Sequence, residues 1–414
     1  MKRKPELLVP ASSLEVLKTA VIFGADAVYI GGEAFGLRAK AKNFSNQDMV
    51  EGIAFAHDHG VKVYVTVNIL AHNRDLEGVR TYLKELREMG PDGLIIADPG
   101  IFMLARELCP ELERHISTQA NNTNYETYRF WWELGAKRVV SARELSLEEI
   151  REIRKKIPEE MEIETFIHGA MCISYSGRCL LSNYFTGRDA NQGSCTHPCR
   201  WKYAVVEESR PGEYLPIYEN DRGTFLFNSR DLCMIAHIPE ILESGIDSLK
   251  IEGRMKTALY VATVTRTYRR ALDDCQECRE LYERNLPWYR EQISCGTHRL
   301  FTTGFFFGRP DEKSQIYEES TYQREATYLG IVGQVDAKGR CQLQQRNKFS
   351  VGEQIEIMKP GGEDVPVMVE AIFDQEGVPQ ESAPHARQDL WVQLSESPAP
   401  WDILRRTERA GEGG

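Results

Sequence analysis

Residues 6–32 read ELLVPASSLEVLKTAVIFGADAVYIGG, and this stretch contains the unit from which most of the chain is built. ELLVP is a short apolar strand, and DAVYIGG is a second one. Between them, SLEVLKTAVIFG has the apolar spacing of an amphipathic helix, with Ser13 as its N-cap and Gly24 as its stop. A strand, a helix and a second strand predict a parallel β-α-β unit.

The same alternation continues to about residue 255. Further strands are indicated by VKVYVTVN, GLIIAD, HISTQAN, KRVVSA, EIETFIHG and DSLKIEG. Eight strands, each followed by a helix at a spacing of roughly 25–30 residues, predict an α/β fold, a (β/α)8 TIM-like barrel. Continuous apolar strands suit a parallel sheet that is buried on both faces. A doubly wound open sheet is the alternative, disfavoured because no Gly-rich phosphate loop follows the first strand.

The organisation predicted from the sequence has four parts. The barrel domain covers residues 1–272, with a cysteine-rich insertion at residues 170–233 after the seventh strand. A linking region at residues 273–324 follows. Residues 325–402 alternate short strands with turns such as Asp-Ala-Lys-Gly and Pro-Gly-Gly, which predicts a small C-terminal antiparallel β-barrel. Residues 403–414 are predicted to form a flexible tail.

The composition narrows the classes of function. The 414-residue chain has a formal net charge of −11, which argues against a uniformly basic nucleic-acid-binding module but allows a local basic groove. The first residues show no secretory signal pattern, and no apolar run approaches the roughly 20 residues that span a bilayer. We therefore expect a cytoplasmic protein without membrane association. Disulfides are rare in that compartment, so clustered cysteines indicate metal binding or catalysis.

Polar side chains follow most of the predicted barrel strands. Active sites of (β/α)8 barrels lie where the strands end, so these side chains should converge. They are Glu33 and Arg38 after strand two, Asn68 after three, Asp98 after four, Gln119 and Asn121 after five, Arg143 and Glu144 after six, His168 after seven, and Glu252 and Arg254 after eight. The candidate catalytic residues among them are Asn68, Gln119, His168, Glu252 and Arg254. Arg38, Arg143 and Arg254 are suited to bind carboxylates or phosphates through paired hydrogen bonds.

Five cysteines gather after the seventh strand, namely Cys172, Cys179, Cys195, Cys199 and Cys233. A [4Fe–4S] cluster needs four converging thiolates, and this group can supply them with either Cys195 or Cys199 as one ligand. A zinc site with four thiolates is the rival, although six residues between the first two cysteines is not its usual spacing. Unmetallated thiols are the third reading, and spacing alone does not name the metal.

A second set of metal-ligand types occurs further along the chain, at Cys275, Cys278, Cys295 and His298. Its two pairs are separated by about 16 residues, which resembles zinc spacing. A zinc site here is a weaker hypothesis, because the first pair extends the last predicted barrel helix and the second falls in an irregular stretch.

The segment ETFIHGAMCISYSGRCLLS, residues 164–182, resembles the signature of the collagenase-like peptidase family of unassigned mechanism. The positions that match are Glu164, Phe166, Gly169, Cys172, Gly177, Cys179 and Ser182. RDANQGSCTHPCRWKY and LKIEGRMKTALYV resemble later blocks of the family, so the resemblance covers most of the chain. It implies a [4Fe–4S] cluster whose ligands are Cys172, Cys179, Cys195 and Cys233, with Cys199 as a doubtful fifth.

The resemblance also implies a reaction, because several members of the family hydroxylate RNA or quinones. A small C-terminal β-barrel is typical of the tRNA hydroxylation branch. The chain then resembles an RNA-modifying, oxidoreductase-type hydroxylase that converts the wobble uridine of the tRNA anticodon loop to 5-hydroxyuridine and depends on prephenate. Arg143 or Arg254 would pair with prephenate, a dianion, with Arg38 as a third candidate. A paralogue or an accessory protein is a further candidate partner.

Alternative functions remain at this point. They are hydroxylation of ribosomal RNA or quinone, peptidase activity, and a non-catalytic scaffold that delivers tRNA or cluster. A peptidase would use Cys172 as a nucleophile activated by His168, but a thiolate bound to a cluster cannot attack a peptide bond. RNA contacts are predicted in CRWKY, residues 199–203, whereas RTYRR, residues 266–270, fits a solvated helix face better.

Overall fold

A computed structural model of the chain describes residues 4–33, 35, 43–171, 182, 186, 219–220, 223–224, 230–308 and 326–407. Arg38 and four of the five clustered cysteines, Cys172, Cys179, Cys195 and Cys199, lie outside the described residues. Across the described ranges, no helix is both long enough and apolar enough to cross a membrane.

Eight parallel strands close into a barrel, which confirms the fold class predicted from the sequence. The first seven are β1 (Glu6–Pro10), β2 (Ala27–Ile30), β3 (Lys62–Val67), β4 (Gly93–Ile96), β5 (Glu113–Ile116), β6 (Arg138–Val140) and β7 (Glu162–Ala170). Three short strands follow β7 in sequence, namely β8 (Glu219–Asn220), β9 (Gly223–Thr224) and β10 (Asp231–Cys233). The eighth barrel strand is β11 (Ser248–Ile251). β11 pairs in parallel with both β7 and β1, so the ring has no free edge.

Helices lie between the barrel strands, as the apolar spacing predicts. They are α1 (Leu14–Ile22), α2 (Asn46–Asp58), α3 (Leu76–Met89), α4 (Pro99–Leu108), α5 (Tyr125–Glu133), α6 (Leu147–Lys156), α7 (Ile238–Glu243), α8 (Ala258–Glu277) and α9 (Arg279–Cys295). Short helical turns occur at Asn73–Asp75, Thr118–Ala120 and Ile235–His237. The first helix begins as predicted, because the Ser13 side chain accepts a hydrogen bond from the backbone N–H of Val16.

The predicted insertion returns to the barrel through β10. This strand runs antiparallel to the end of β7, with Leu232 opposite Gly169 and Cys233 opposite His168. A further two-residue strand, β12 (Phe301–Thr302), pairs in parallel with β10. The end of the seventh barrel strand is therefore covered by residues that are distant in sequence.

The C-terminal region is a second, antiparallel barrel. Its strands are β13 (Ala326–Val335), β14 (Cys341–Gln344), β15 (Gln354–Met358), β16 (Val365–Phe373), β17 (Pro379–Gln380), β18 (Asp389–Leu394) and β19 (Ile403–Thr407). The ring closes in the order β13-β14-β18-β16-β15-β19. β19 pairs with β13 and β15 and buries Ile403 and Leu404, so the barrel extends to residue 407 and the predicted flexible tail does not begin at residue 403.

A buried charge cluster joins the two barrels. Arg266 on α8 and Arg405 on β19 both bind the Asp364 carboxylate and both donate to the side-chain oxygen of Gln292 on α9. Arg266 is 4% exposed and Arg405 is 1% exposed. The prediction that the RTYRR segment is a solvated helix face is therefore wrong for Arg266, because the C-terminal barrel covers it.

Candidate functional site

A pocket opens at the carboxyl ends of the barrel strands, with a volume of about 140 Å³ in the described part of the chain. We call it the mouth pocket; its predicted members are Asn68, Gln119, Arg143, Glu252 and Arg254. These residues follow strands that are far apart in sequence. They converge because closure of a parallel barrel brings all strand ends to one face, which is where barrel enzymes carry their active sites.

Arg254 is held by contacts from two neighbouring strands. Its Nη1 atom donates a hydrogen bond of 2.8 Å to Thr66 Oγ1, and the Thr66 hydroxyl in turn donates to the carbonyl of Ile30. A Cβ atom at Gly31 would overlap the Arg254 guanidinium. The absence of a side chain at Gly31 thus leaves room for Arg254 to reach the mouth pocket. Arg254 is 8% exposed.

Arg143 and Lys250 lie against aromatic rings in the same pocket. The Arg143 guanidinium carbon is 4.0 Å from the centroid of Phe166, and Lys250 Nζ is 4.3 Å from the centroid of Tyr29. Cations over ring faces gain electrostatic attraction, the more so where water is excluded. The mouth pocket, which Arg254 also lines, therefore combines three cations with two aromatic surfaces.

Lys250 also connects the mouth pocket to a charged layer inside the barrel. Its Nζ atom donates to Glu164 Oε1 at 2.7 Å, and the other oxygen of Glu164 accepts from Arg138 at 3.1 Å. Burial lowers the pKa of Lys250, although the Glu164 carboxylate opposes this effect. The lysine is thus a buried cation with a fixed partner and a face towards the pocket.

The charged layer has Arg138 at its centre. Its guanidinium binds the carboxylates of Glu6 and Glu162 as well as Glu164. Burial alone would raise the pKa of Glu6, but the Arg138 charge and hydrogen bonds outweigh it, so the pKa of Glu6 is lowered. These groups satisfy one another beneath the pocket, which fixes the strands that carry its walls.

His168 is not brought into the mouth pocket. Its ring is 2% exposed and packs beside Tyr268, whose hydroxyl is 3.3 Å from His168 Nδ1, and beside Phe301 at 5.8 Å between ring centroids. Burial lowers the pKa of His168 to about 3, with a further contribution from the positive charge of Lys256. The imidazole is therefore neutral near pH 7 and faces the β10 side of strand β7.

Cys233 is the predicted cluster ligand that falls within the described residues. It lies opposite His168 in the β7–β10 pairing, and its sulfur is 3.8 Å from the Tyr268 hydroxyl. Burial raises the pKa of the Cys233 thiol to about 11. The other predicted ligands, Cys172, Cys179 and Cys195, lie outside the described residues, so the four-ligand set stays a prediction.

The second metal-ligand set does not form a site. In the part of the chain that the structure describes, no group of three or more His, Cys, Asp or Glu residues could hold a metal ion. Cys278 instead caps α9, accepting a hydrogen bond from the backbone N–H of Leu281. His298 stacks on Phe301 with 4.5 Å between ring centroids. The zinc hypothesis for this set is wrong because its members serve helix capping and packing.

Among the lining residues of the mouth pocket that the sequence did not indicate are Tyr29, Thr66, Phe166 and Lys250. They lie within strands rather than after them, and the prediction considered strand ends. Lys250 did carry a signal, since a lysine interrupts the apolar strand SLKI. Asp98, in contrast, was a predicted pocket residue, and its carboxylate caps α4 by accepting from the backbone N–H of Ile101.

The arrangement can bind a small anion beside a flat ring. Arg143, Arg254 and Lys250 supply positive charge, and the rings of Phe166 and Tyr29 lie against Arg143 and Lys250 in the same walls. Cationic and aromatic groups in a partly enclosed cavity are typical of sites that hold carboxylates, phosphates and nucleobases.

Glu252 adds a carboxylate to the same wall. It follows the last residue of β11, and its backbone N–H donates to the carbonyl of His168. The backbone at the end of β11 is thereby tied to β7, which holds Glu252 at the rim of the mouth pocket.

Both barrels match known protein families. Residues 12–316 match the family described as peptidase family U32, and residues 324–405 match the family described as peptidase family U32 C-terminal domain.

Several relatives carry names that refer to RNA. The chain is 42% identical to tRNA hydroxylation protein P1 of Bacillus subtilis (strain 168), over 98% of this chain and 95% of that protein. It is 38% identical to tRNA hydroxylation protein P of Escherichia coli (strain K12), over 97% of this chain and 95% of that protein. It is 39% identical to a 23S rRNA 5-hydroxycytidine synthase of the same organism, over 65% of this chain and 39% of that protein.

Proposed function

The chain belongs to peptidase family U32, and we propose that it is an RNA-modifying enzyme that hydroxylates the wobble uridine of tRNA to 5-hydroxyuridine. The observation that carries the proposal is the 42% identity to a tRNA hydroxylation protein across 98% of this chain, which spans both barrels. A relative named for hydroxylation of a ribosomal cytidine supports RNA as the substrate class.

The mouth pocket supports this chemistry. Hydroxylation at carbon 5 of uracil requires that the base leave the stack and lie against the reactive centre. Bases of an anticodon loop are exposed already, which lowers that cost. Arg143 and Arg254 offer charge for the neighbouring phosphate or for an anionic cofactor, and Phe166 and Tyr29 add aromatic walls to the pocket.

We further propose prephenate as that anionic cofactor. A dicarboxylate needs at least two cations in a water-poor cavity, and Arg143, Arg254 and Lys250 meet this need. Replacing Arg143 or Arg254 with Ala should raise the prephenate concentration required for activity. An unchanged requirement in both variants would count against the assignment.

A [4Fe–4S] cluster held by Cys172, Cys179, Cys195 and Cys233 is the second cofactor that we propose. Its support is the position of β10 against the end of β7, where Cys233 pairs with His168 and Asp231 pairs with Ala170. Ala170 precedes Cys172 by two residues in the sequence. When bound, such a cluster supplies one-electron redox chemistry.

The cluster proposal is tested by metal and sulfide analysis of the purified protein. The Cys233→Ser variant should lose iron and sulfide relative to the wild type. Cys278→Ser is the control, because this exposed thiol caps a helix and should not affect the iron content. Equal iron and sulfide in both variants would contradict the assignment of Cys233.

The test of the main proposal is genetic. The gene is deleted in its host, in whose cytoplasm we expect the protein to act, and tRNA nucleosides are measured by mass spectrometry. We expect loss of 5-hydroxyuridine and of nucleosides built on it, restored by the wild type and by Arg87→Ala, a variant of an exposed arginine, but not by Arg254→Ala.

An unchanged tRNA profile calls for the same measurement after deletion of any paralogue, since a paralogue is a proposed partner in the pathway. If tRNA is still unchanged, the tRNA proposal fails. Ribosomal RNA nucleosides, quinones and peptide cleavage measured in the same strains then separate the remaining candidates.

A further inference from the structure

A cleft lies between the two barrels, separate from the mouth pocket. Its volume is about 710 Å³. One wall is formed by the loops after β1 and β11, which include Ser13, Lys256 and Thr257, and the other includes Tyr328, Arg346 and Arg387 of the C-terminal barrel. We call this the inter-barrel cleft. Lys256 follows Arg254 by two residues, so the cleft opens beside the mouth pocket on the same face of the large barrel.

Cations exceed anions in this cleft. Lys256, Arg346 and Arg387 face Glu15 and Asp48. Arg346 is paired with Glu15 at 2.6 Å, and Lys256 Nζ donates to the carbonyl of Thr297 at 2.8 Å. Arg387 is exposed, and no ion pair joins it to a carboxylate among the described residues. On a chain with a net charge of −11, a positive cleft differs from its surroundings.

Two helices begin in the same cleft. The first turns of α1 and α8, which are 9 and 20 residues long, both contribute to its lining. Helix N-termini carry partial positive charge and exposed backbone N–H groups, which favour anions. Their direction here results from the barrel, because every helix that follows a barrel strand begins on the face where the strands end.

Tyr328 provides an independent indication of a ligand. Its side chain lines the cleft and is 9% exposed, and its hydroxyl has no acceptor for its proton among the described residues. The neighbouring Arg346 guanidinium can only donate to the hydroxyl oxygen. A buried hydroxyl proton without an acceptor is costly, and an acceptor placed in the cleft would satisfy it. The acceptor must suit a site that also presents guanidinium and ammonium groups.

We infer that the inter-barrel cleft binds the sugar-phosphate backbone of the RNA substrate. A phosphodiester supplies acceptors for the Tyr328 hydroxyl and for the Arg346 and Arg387 guanidinium groups, and RNA is long enough to reach from the cleft into the mouth pocket. The C-terminal barrel then positions the nucleic acid while the large barrel holds the target base. This inference rests on the proposed function, because it takes RNA as the substrate.

The test measures binding of the full-length protein to tRNA purified from the deletion strain, over a series of salt concentrations. Arg387→Glu should weaken tRNA binding about tenfold. The slope of the logarithm of the binding constant against the logarithm of the salt concentration should become shallower by about 0.7 for each phosphate that the variant no longer neutralises. Tyr328→Phe, which removes the hydroxyl alone, should weaken binding about threefold. Lys338→Glu is the matched control, since it makes the same charge change at an exposed residue of the C-terminal barrel outside the cleft.

Thermal unfolding of each variant verifies that it is folded. If Arg387→Glu and Lys338→Glu weaken binding equally, or if Arg387→Glu and Tyr328→Phe both bind as the wild type does, the inference is overturned. Loss of 5-hydroxyuridine in the deletion strain alongside either result leaves the proposed function standing. A wild type that does not bind tRNA, together with a deletion strain whose tRNA nucleosides are unchanged, refutes the function and the inference together.

Discussion

Replacing Arg138 with Met should destabilise the large barrel strongly. The side chain lies 2% exposed beneath the mouth pocket and donates six hydrogen bonds, five to the carboxylates of Glu6, Glu162 and Glu164 and one to Ser248. Methionine matches the aliphatic part of the arginine side chain but carries no charge. The variant would leave the carboxylates buried without the cation that now balances them.

The magnitude follows from the partners that remain. Glu164 keeps Lys250 at 2.7 Å and Glu162 keeps Lys137 at 3.6 Å, so the main effect falls on Glu6. Removing one member of a buried ion pair costs about 3–5 kcal/mol, chiefly because the other charge stays buried. At about 2–4 °C per kcal/mol for a domain of this size, the midpoint of thermal unfolding should fall by roughly 10 °C.

The electrostatic reasoning also predicts how the destabilisation of Arg138→Met changes with pH. In the wild type the lowered pKa of Glu6 stabilises the fold above the unfolded-state value of about 4.3, and this stability is lost as the pH falls through the folded-state value. In the variant, burial without Arg138 should raise the pKa of Glu6, so protonation relieves the cost. The difference in unfolding midpoint between the variant and the wild type should therefore be smaller at about pH 5 than at about pH 8.

Thermal unfolding followed by circular dichroism at both pH values measures these effects. The control is Arg87→Met, which removes an arginine from an exposed pair with Glu111 and should lower the midpoint by less than about 3 °C. An Arg138→Met midpoint within the range of this control, or a deficit that does not change with pH, would refute the electrostatic reasoning.

Three further predictions test other parts of the structure. Gly31→Ala should displace the Arg254 guanidinium and raise the prephenate concentration needed for hydroxylation, with little change in thermal stability. Gly361→Ala, where a Cβ meets nothing, should leave that concentration unchanged in the same assay. Asp364→Asn should cost about 3 kcal/mol and speed release of a C-terminal fragment in limited proteolysis, because two buried arginines lose their shared carboxylate; unchanged proteolysis would contradict this. Burial lowers the pKa of His115 to about 3, so the fold should lose about 1.4 kcal/mol of stability per pH unit as the pH falls below about 6.5. Denaturant titrations at several pH values should find a smaller dependence of stability on pH in His115→Gln.

Much of the fold could be predicted from local pattern. The strand VKVYVTVN became β3, buried along nearly its whole length, and the capping serine before α1 marked its first turn. The hairpin around Asp336 in the C-terminal barrel was also visible, because the turn residues interrupt two alternating strands. Local pattern failed at residue 403, where Ile403 is buried by strands that come earlier in the chain.

The site was predicted in part. Asn68, Gln119, Arg143, Glu252 and Arg254 follow strands of the predicted barrel, so the topology placed them on one face before any contact was known. Sequence position could not tell which strand-end residues point inward. His168 fits the same rule, and packing turned it towards Tyr268.

The order of strands and helices, the closed barrel that this order allows, and the family could all be inferred from the amino-acid sequence. Those properties depend on periodic burial and on residues that are near one another along the chain. Three-dimensional packing was needed to show that Lys250 shares a carboxylate with Arg138, that Arg266 anchors the second barrel, and that Tyr328 lines a basic cleft. Each of these facts joins residues from different strands or different barrels, and distance in sequence carries no information about which side chains will meet.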